Sequence, residues 1–297
     1  MKRIDFLQAT LGASAFLGLS LAACNDKNSI QELIDNTSKN VNGSMFGFSD
    51  KKIDKVKIGI IGLGNRGNVL LQMFQYLVEN NHAEIIALCD IQKNKIDKAN
   101  SILKKWQSKK ATNYYSSSED WKNLAKREDI DLVIIATPWR MHTPMSLFCM
   151  ENNKHVACEV PIAYKLEDCW KLTQTSEKMK KHCIMLENCN YNQEELWILN
   201  MIQEGVFGDI THTEGAYLHD LRALLLDEKY YQGQWRLHQH ANRNGNFYTT
   251  HGLGPISFYL NIGRGDTFSH LTSMSTREKN LSIAAKQVNH HIKEYKC

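Results

Sequence analysis

No Cys-x-x-Cys pair occurs among the eight cysteines, at positions 24, 89, 149, 158, 169, 183, 189 and 297. No zinc site follows from such spacing, and a chain this rich in core-forming residues needs no disulfide framework. A basic block is also missing: 36 Lys and Arg stand against 32 Asp and Glu, interspersed, for a formal charge of +4. Nucleic acid is therefore not an implied partner. Repeated long apolar runs are absent, which excludes a polytopic membrane protein. With 42% hydrophobic and 23% charged residues, extensive disorder is excluded as well. What remains is an ordinary folded protein whose 297 residues suit two domains of about 150 residues each.

The N-terminus reads as an address. Lys2 and Arg3 precede a mostly apolar stretch from Phe6 to Ala23, ending Leu21-Ala22-Ala23-Cys24. Residues 1–23 are thus expected to be a secretory signal. Gln8, Thr10 and several serines interrupt the run, which is barely long enough for a hydrocarbon core of ~30 Å, so a permanent membrane span is the weaker reading. The ending resembles a bacterial lipobox, implying cleavage before Cys24 and lipidation of its thiol; a non-lipidated secreted form is the alternative. Lys2-Arg3-Ile4-Asp5-Phe6-Leu7 looks like a twin-arginine signal with Lys for the first Arg, which leaves the export route open. Residues 24–55, mostly Asn, Ser, Lys, Asp and Gly, read as a tether. The expected location is the periplasm or cell envelope, with the membrane touched only through Cys24.

A nucleotide-binding pattern follows. Val56 to Ile61 is a β-branched run leading into Gly62-Leu63-Gly64-Asn65-Arg66-Gly67 and then the helical spacing Val69, Leu70, Met73, Phe74, Leu77. In such a strand–turn–helix, Gly62 supplies the tight turn, Gly64 lets backbone approach a pyrophosphate, and Gly67 lets helix and strand pack closely. The helix N-terminus faces the anion. Ala83 to Cys89 reads as a second strand, and Asp90 at its end is placed to accept from ribose hydroxyls and to repel a 2′-phosphate, favouring NAD over NADP. The bland alternative is a flavodoxin-like sheet with turn glycines and no nucleotide.

The alternation continues: a helix from about Lys93 to Trp106, a strand near Tyr114, a helix around Trp121 to Lys126, and the buried-strand run ending at Ala136. A helix to Asn152, a strand at His155–Cys158, a helix from Leu166 to Lys180 and a strand at Cys183–Leu186 complete it. The segments after these strands, Thr137-Pro138-Trp139-Arg140-Met141-His142, Glu159-Val160-Pro161 and Glu187-Asn188-Cys189-Asn190-Tyr191, fall at the carboxyl edge of a parallel sheet, where doubly wound folds bind ligands. The fold class is α/β: a Rossmann domain over 56–188, then a substrate domain over 189–297.

Together these motifs resemble the Gfo/Idh/MocA family, whose Rossmann domain precedes an open-sheet α+β substrate domain. Sugar dehydrogenases of that family carry Glu-Lys-Pro where this chain has Glu159-Val160-Pro161, and valine cannot move a proton. Phe247 replaces the family aspartate four residues before His251. These departures, with Trp139-Arg-Met-His142, Tyr217-Leu-His-Asp-Leu-Arg222, Trp235-Arg236, Asn242-Arg-Asn-Gly245 and Tyr248-Thr-Thr-His-Gly-Leu-Gly-Pro255, resemble the NAD-dependent glycosidases of glycoside hydrolase family 109, named for α-N-acetylgalactosaminidase activity. The resemblance implies that Asn65, Arg66, Asp90, Trp139, Arg140, Met141, His142, Glu159, Val160 and Asn188 contact NAD. It implies that Tyr217, Arg236, Tyr248, Thr249, Thr250 and His251 line a sugar site. Members of the family are much longer, so an incomplete open sheet and a shortened substrate domain are expected, with one further family tyrosine beyond Cys297.

The chemistry is then a cycle of oxidation, elimination, addition and reduction on a glycan or glycoside, with His251 and Tyr248 as candidate catalytic groups. Their spacing of three shares one face if the segment opens a helix. No flanking carboxylate pair of the ordinary glycosidase kind stands out. A cycle that regenerates its cofactor suits an exported enzyme, since free NAD is scarce outside the cytoplasm. Each residue also has a structural alternative: His251 as a hydrogen-bonded helix-start histidine, Tyr248 as a packed aromatic, Arg236 as a surface ion pair, Trp139 as a core cap, His142 as a helix start. His219 and Asp220, adjacent on an expected strand, point apart and make no dyad. His238 and His240 have strand-like spacing without a third ligand, so no metal is expected. A net sugar oxidoreductase and an inactive binding protein are the alternative functions, and a homo-oligomer is left open.

Overall fold

The computed structural model describes residue 45 and residues 47–288, 290–292 and 295. The export signal, Cys24 and most of the expected tether lie outside the described residues, as does Cys297. Contacts divide the chain after Leu186 into two compact units.

The first unit is a single six-stranded sheet built from β1 (Val56–Ile61), β2 (Ala83–Cys89), β3 (Thr112–Tyr114), β4 (Leu132–Ile135), β5 (His155–Cys158) and β6 (Cys183–Met185). The spatial order is β3-β2-β1-β4-β5-β6, and every pairing is parallel. Parallel neighbours need crossovers, and the intervening helices supply them: α1 (Asn65–Met73), α2 (Gln75–Glu79), α3 (Lys93–Leu103), α4 (Trp121–Ala125), α5 (His142–Glu151) and α6 (Leu166–Met179).

Residue alternation on the strands sorts the core into two layers. Ile61, Val133, Ile135, Val156 and Cys158 pack with Trp121, Leu124, Met145 and Met150. Ile58, Ile60, Ile85, Leu88, Ile134 and Ala157 pack with Leu70, Leu71, Ile96 and Ala99. Both faces being covered explains why the strands read as continuous apolar runs. Fully burying each such aliphatic side chain contributes about 1.5–3 kcal/mol. Cys89, Cys149 and Cys158 belong to these layers as free thiols, and burial pushes the first two up to about 12.

The expected tether is not free along its whole length. Asp50 accepts from Lys181 Nζ and from His155 Nε2, each at 3.1 Å, and the Phe48 ring lies 5.2 Å from that of His182. A low-complexity composition hid two residues, Phe48 and Asp50, with specific partners on the sheet's amino edge.

The second unit, from Glu187, contains α7 (Gln193–Gln203), α8 (Arg222–Leu226), α9 (Trp235–Asn242), α10 (Thr249–Tyr259) and α11 (Asn280–Gln287). Its small core joins Leu225, Leu237, Leu281, Ala285 and Tyr295. Among its described residues there is an isolated bridge, Ile262 to Asp266, and no strand. The expected open sheet is therefore not formed among them: residues 210–221, which carry Tyr217, His219 and Asp220, have no ladder partner. His238 and His240 stand on α9, so their spacing is helical and not strand-like. Among the described residues no helix is long and apolar enough to cross a membrane.

Candidate active site

In the first unit the parallel strands bring their carboxyl ends to one edge, and with them the segments singled out from sequence. Gly62 follows β1 with φ of 90°, a conformation that suits glycine. Gly67 sits where a Cβ would lie 1.9 Å from the Gly62 carbonyl oxygen, so helix and turn meet only because residue 67 has no side chain. Asp90 ends β2; its Oδ2 accepts from Leu63 N–H and its Oδ1 from Gln92 N–H, at 2.8 and 2.9 Å. The carboxylate thereby braces the glycine turn as well as facing its edge, and a carboxylate has about four acceptor positions, so capacity remains. Asn68 Nδ2 ties the start of α1 to Leu63 O.

Arg66 and Glu159 are 93 residues apart, yet Arg66 Nε donates to Glu159 Oε1 at 2.6 Å. This ion pair links the start of α1 to the residue that follows β5. Val160 is buried beside it at 5% exposure. Trp139 is buried, while Arg140 and Asn65 are exposed. His142 opens α5 and is almost fully buried, with Nδ1 and Nε2 each 2.7 Å from a carbonyl oxygen, of Pro161 and Thr137. A neutral ring can donate to one of the two, and burial holds its pKa below the ordinary 6.5. His142 therefore donates to one of these two loop carbonyls, and its other ring nitrogen faces the second carbonyl oxygen.

These residues fit a dinucleotide. In front of Gly64 the nearest atom a Cβ would meet is Lys95 Nζ at 3.8 Å, so the turn is open where a pyrophosphate must approach. The start of α1 carries no side-chain cap, which leaves its first-turn N–H groups to an anion.

In the second unit a second cluster forms. α10 begins at Thr249 with Tyr248 as its N-cap, and the rings of Tyr248 and His251 stack 5.2 Å apart with 5° between planes. Tyr217 closes the group, 4.9 Å from His251 and 5.3 Å from Tyr248 between centroids. The Arg236 guanidinium lies over Tyr248 at 4.6 Å and donates to Tyr231 Oη at 2.7 Å. Arg236 is buried, so the surface ion pair considered from sequence is replaced by a cation held among aromatic rings. Thr250 is half-buried near them and Thr249 is exposed.

Sequence reasoning missed what lies behind His251. Glu187, 2% exposed, presents Oε1 to His251 Nδ1 and to Cys189 N–H, both at 2.8 Å. Cys189 Sγ is 3.5 Å from the same Nδ1. Gly254 permits this approach, since a Cβ there would meet Asn190 Oδ1 at 2.5 Å and Glu187 Cγ at 3.1 Å. The signal was available: Glu187 is a carboxylate directly after β6, in a segment already marked as edge punctuation. Asn188, exposed in the same turn, has its Nδ2 3.7 Å from Cys189 Sγ. His219 also went unassigned; it stacks on Tyr217 at 5.1 Å, while Asp220 turns to Arg222. Glu187, Cys189 and His251 each offer an atom of metal-ligand type within 4.8 Å of the others. Burial first, and then the Glu187 charge, raise the Cys189 pKa above the ordinary thiol value.

Residues 56–187 match the oxidoreductase family with an NAD-binding Rossmann fold, and residues 191–296 match the C-terminal domain of glycosyl hydrolase 109. A glycosyl hydrolase family 109 protein of Shewanella putrefaciens is 40% identical over 287 residues, covering 96% of this chain and 61% of that one. The chain is thus similar to glycosyl hydrolase family 109 proteins along nearly its whole length. Another such protein, from a Shewanella species, is 43% identical over 247 residues, covering 83% of this chain and 53% of its own. The chain thus spans between about half and three fifths of the length of these relatives. Among solved structures, scyllo-inositol dehydrogenase from Lactobacillus casei with bound NAD(H) and scyllo-inositol is similar at 21% identity and a TM-score of 0.45, over 53% of this chain and 43% of that one. The match over 56–187 makes NAD the cofactor of the first unit.

Proposed function

We propose that this protein acts as a family 109 glycosidase and cleaves α-N-acetylgalactosaminides by a cycle in which no net oxidation occurs. Bound NAD supplies a reversible hydride acceptor for the sugar C3 hydroxyl, which makes the neighbouring C2 proton acidic. His251 takes that proton, and the electron pair left at C2 expels the glycosidic oxygen at C1. Water then adds at C1 and C2 is reprotonated. Tyr248 and Tyr217 each pack a ring against the imidazole and against each other and offer hydroxyls to sugar oxygens, and Arg236 carries the cation that grips the acetamide or a ring hydroxyl. In the first unit, the Arg66–Glu159 pair and Asp90 position the dinucleotide.

The observation that carries this reading is the grouping of His251, Tyr248, Tyr217 and Arg236, with the imidazole anchored at Nδ1. The runner-up, net sugar oxidation, needs a lysine in place of Val160, whose buried side chain cannot move a proton. Export and lipid anchoring at Cys24 complete the proposal. The test uses chromogenic α- and β-N-acetylhexosaminides and galactosides with a small amount of NAD. Phenol released in excess of NAD, with no accumulating NADH, supports the glycosidase; NADH formed without phenol supports the oxidoreductase and removes this reading.

A further inference from the structure

We infer that Glu187 is a positioning residue that sets the tautomer of His251, a role that rests on the proposed reaction for its kinetic consequence but not for its geometry. As a carboxylate, Glu187 Oε1 only accepts, and it is fixed in that sense by Cys189 N–H at 2.8 Å. The His251 nitrogen facing it, Nδ1 at 2.8 Å, therefore carries the ring hydrogen. In the neutral imidazole the lone pair is then on Nε2, and among the described residues no hydrogen bond engages that atom.

The arrangement is buried and closely built. Glu187 is 2% exposed, and its distance from His251 depends on the bare Cα of Gly254 against the Glu187–Asn190 turn. Tyr248, stacked nearly parallel on the imidazole, and Tyr217 on the same ring limit rotation about the ring's own bond. A carboxylate behind a histidine base orients it and stabilises the imidazolium that forms on proton uptake. Here the proton comes from sugar C2 to Nε2, while the Nδ1 hydrogen stays in its bond to Glu187.

The experiment compares the wild type with Glu187→Gln and Glu187→Met. Imidazole nitrogen chemical shifts report the tautomer, and steady-state rates with C2-protio and C2-deuterio N-acetylgalactosaminides report proton removal. Cys189 N–H forces the amide oxygen of Glu187→Gln toward the ring, so that variant keeps Nδ1–H and loses activity only about tenfold. Glu187→Met loses the Nδ1–H preference. Its kcat falls about 10²- to 10³-fold with KM and NAD affinity little changed, and its C2 isotope effect is larger than that of the wild type. An Nε2–H signal for His251 in the wild type overturns the inference, as does a folded Glu187→Met with unchanged tautomer and rate, or a Glu187→Gln that falls as far as Glu187→Met. Should Glu187→Met not fold, the wild-type and Glu187→Gln spectra decide alone. Should the wild type cleave no glycoside, the proposed reaction fails while the nitrogen spectra still decide the role of Glu187.

Discussion

Two glycines of one turn should respond to the same substitution in opposite ways. At Gly67 an added methyl would stand 1.9 Å from the Gly62 carbonyl oxygen and 2.8 Å from its carbon, where nothing flexible can yield. A carbon–oxygen contact needs well over an ångström more than that, so the start of α1 must move off the turn and take the Asn68 bond to Leu63 with it. Overpacking of this kind costs about 1–3 kcal/mol or more, and a backbone-to-backbone clash belongs at the upper end. For a unit of this size, about 2–3 kcal/mol lowers Tm by roughly 5–10 °C. At Gly64, φ is −68° and the nearest atom to an added methyl is Lys95 Nζ at 3.8 Å, so alanine fits the protein alone. It occupies the space where a pyrophosphate has to approach. Gly67→Ala is thus expected to lower the Tm of the cofactor-free protein, whereas Gly64→Ala leaves that Tm within about 1 °C and weakens NAD binding tenfold or more. Scanning calorimetry and NAD titration read both. Equal effects of the two variants on Tm, or NAD affinity untouched in Gly64→Ala, would refute the reasoning.

Other outcomes follow from the same geometry. Asp90→Ala removes acceptors from Leu63 N–H and Gln92 N–H, so stability should fall by about 1–3 kcal/mol in denaturant titrations, and the preference for NAD over NADP should shrink in parallel binding measurements. His251→Ala should lower kcat for glycoside cleavage by about 10²- to 10⁴-fold while NAD affinity is retained. Burial holds the pKa values of His142 and His155 below 6.5, so the unfolded chain binds more protons than the folded one as pH falls below that value. Their contribution is fully present above pH 6.5 and is lost on acidification. Tm should fall from pH 7 toward about pH 5, with a shallower slope in His142→Asn. Asp50, brought down to about 2 by the Lys51 N–H and by Lys181, adds stability above pH 3.8 that is lost as pH falls toward 2. Cys24→Ser should abolish incorporation of a labelled fatty acid during expression.

The sheet was legible because each strand is a short apolar run closed by glycine or polar punctuation: burial on both faces removes the period-2 alternation, and shortness, β-branched content and punctuation then separate strand from helix. β1 and β2 match their expected bounds, and the glycine turn and Asp90 take their expected places. Beyond Leu186 the signal weakens. Tyr217, Arg236, Tyr248 and His251 are gathered from an unpaired segment, α9 and the start of α10, and no local periodicity announces that grouping; the family motifs did. His238 and His240 were misplaced since a spacing of two is uninformative without a decided element. Glu187 was overlooked since its role depends on Gly254, 67 residues later, allowing two backbones to meet. The clasp of Phe48 and Asp50 on the sheet edge was hidden inside a polar, repetitive stretch.

The elimination route is tested most directly by running glycoside cleavage in deuterium oxide and reading C2 of the released sugar by NMR. Reprotonation from solvent predicts one deuterium at C2 in every product molecule, with unreacted glycoside unlabelled where elimination outpaces return. Product that keeps its original C2 hydrogen would contradict the route and leave direct hydrolysis in its place.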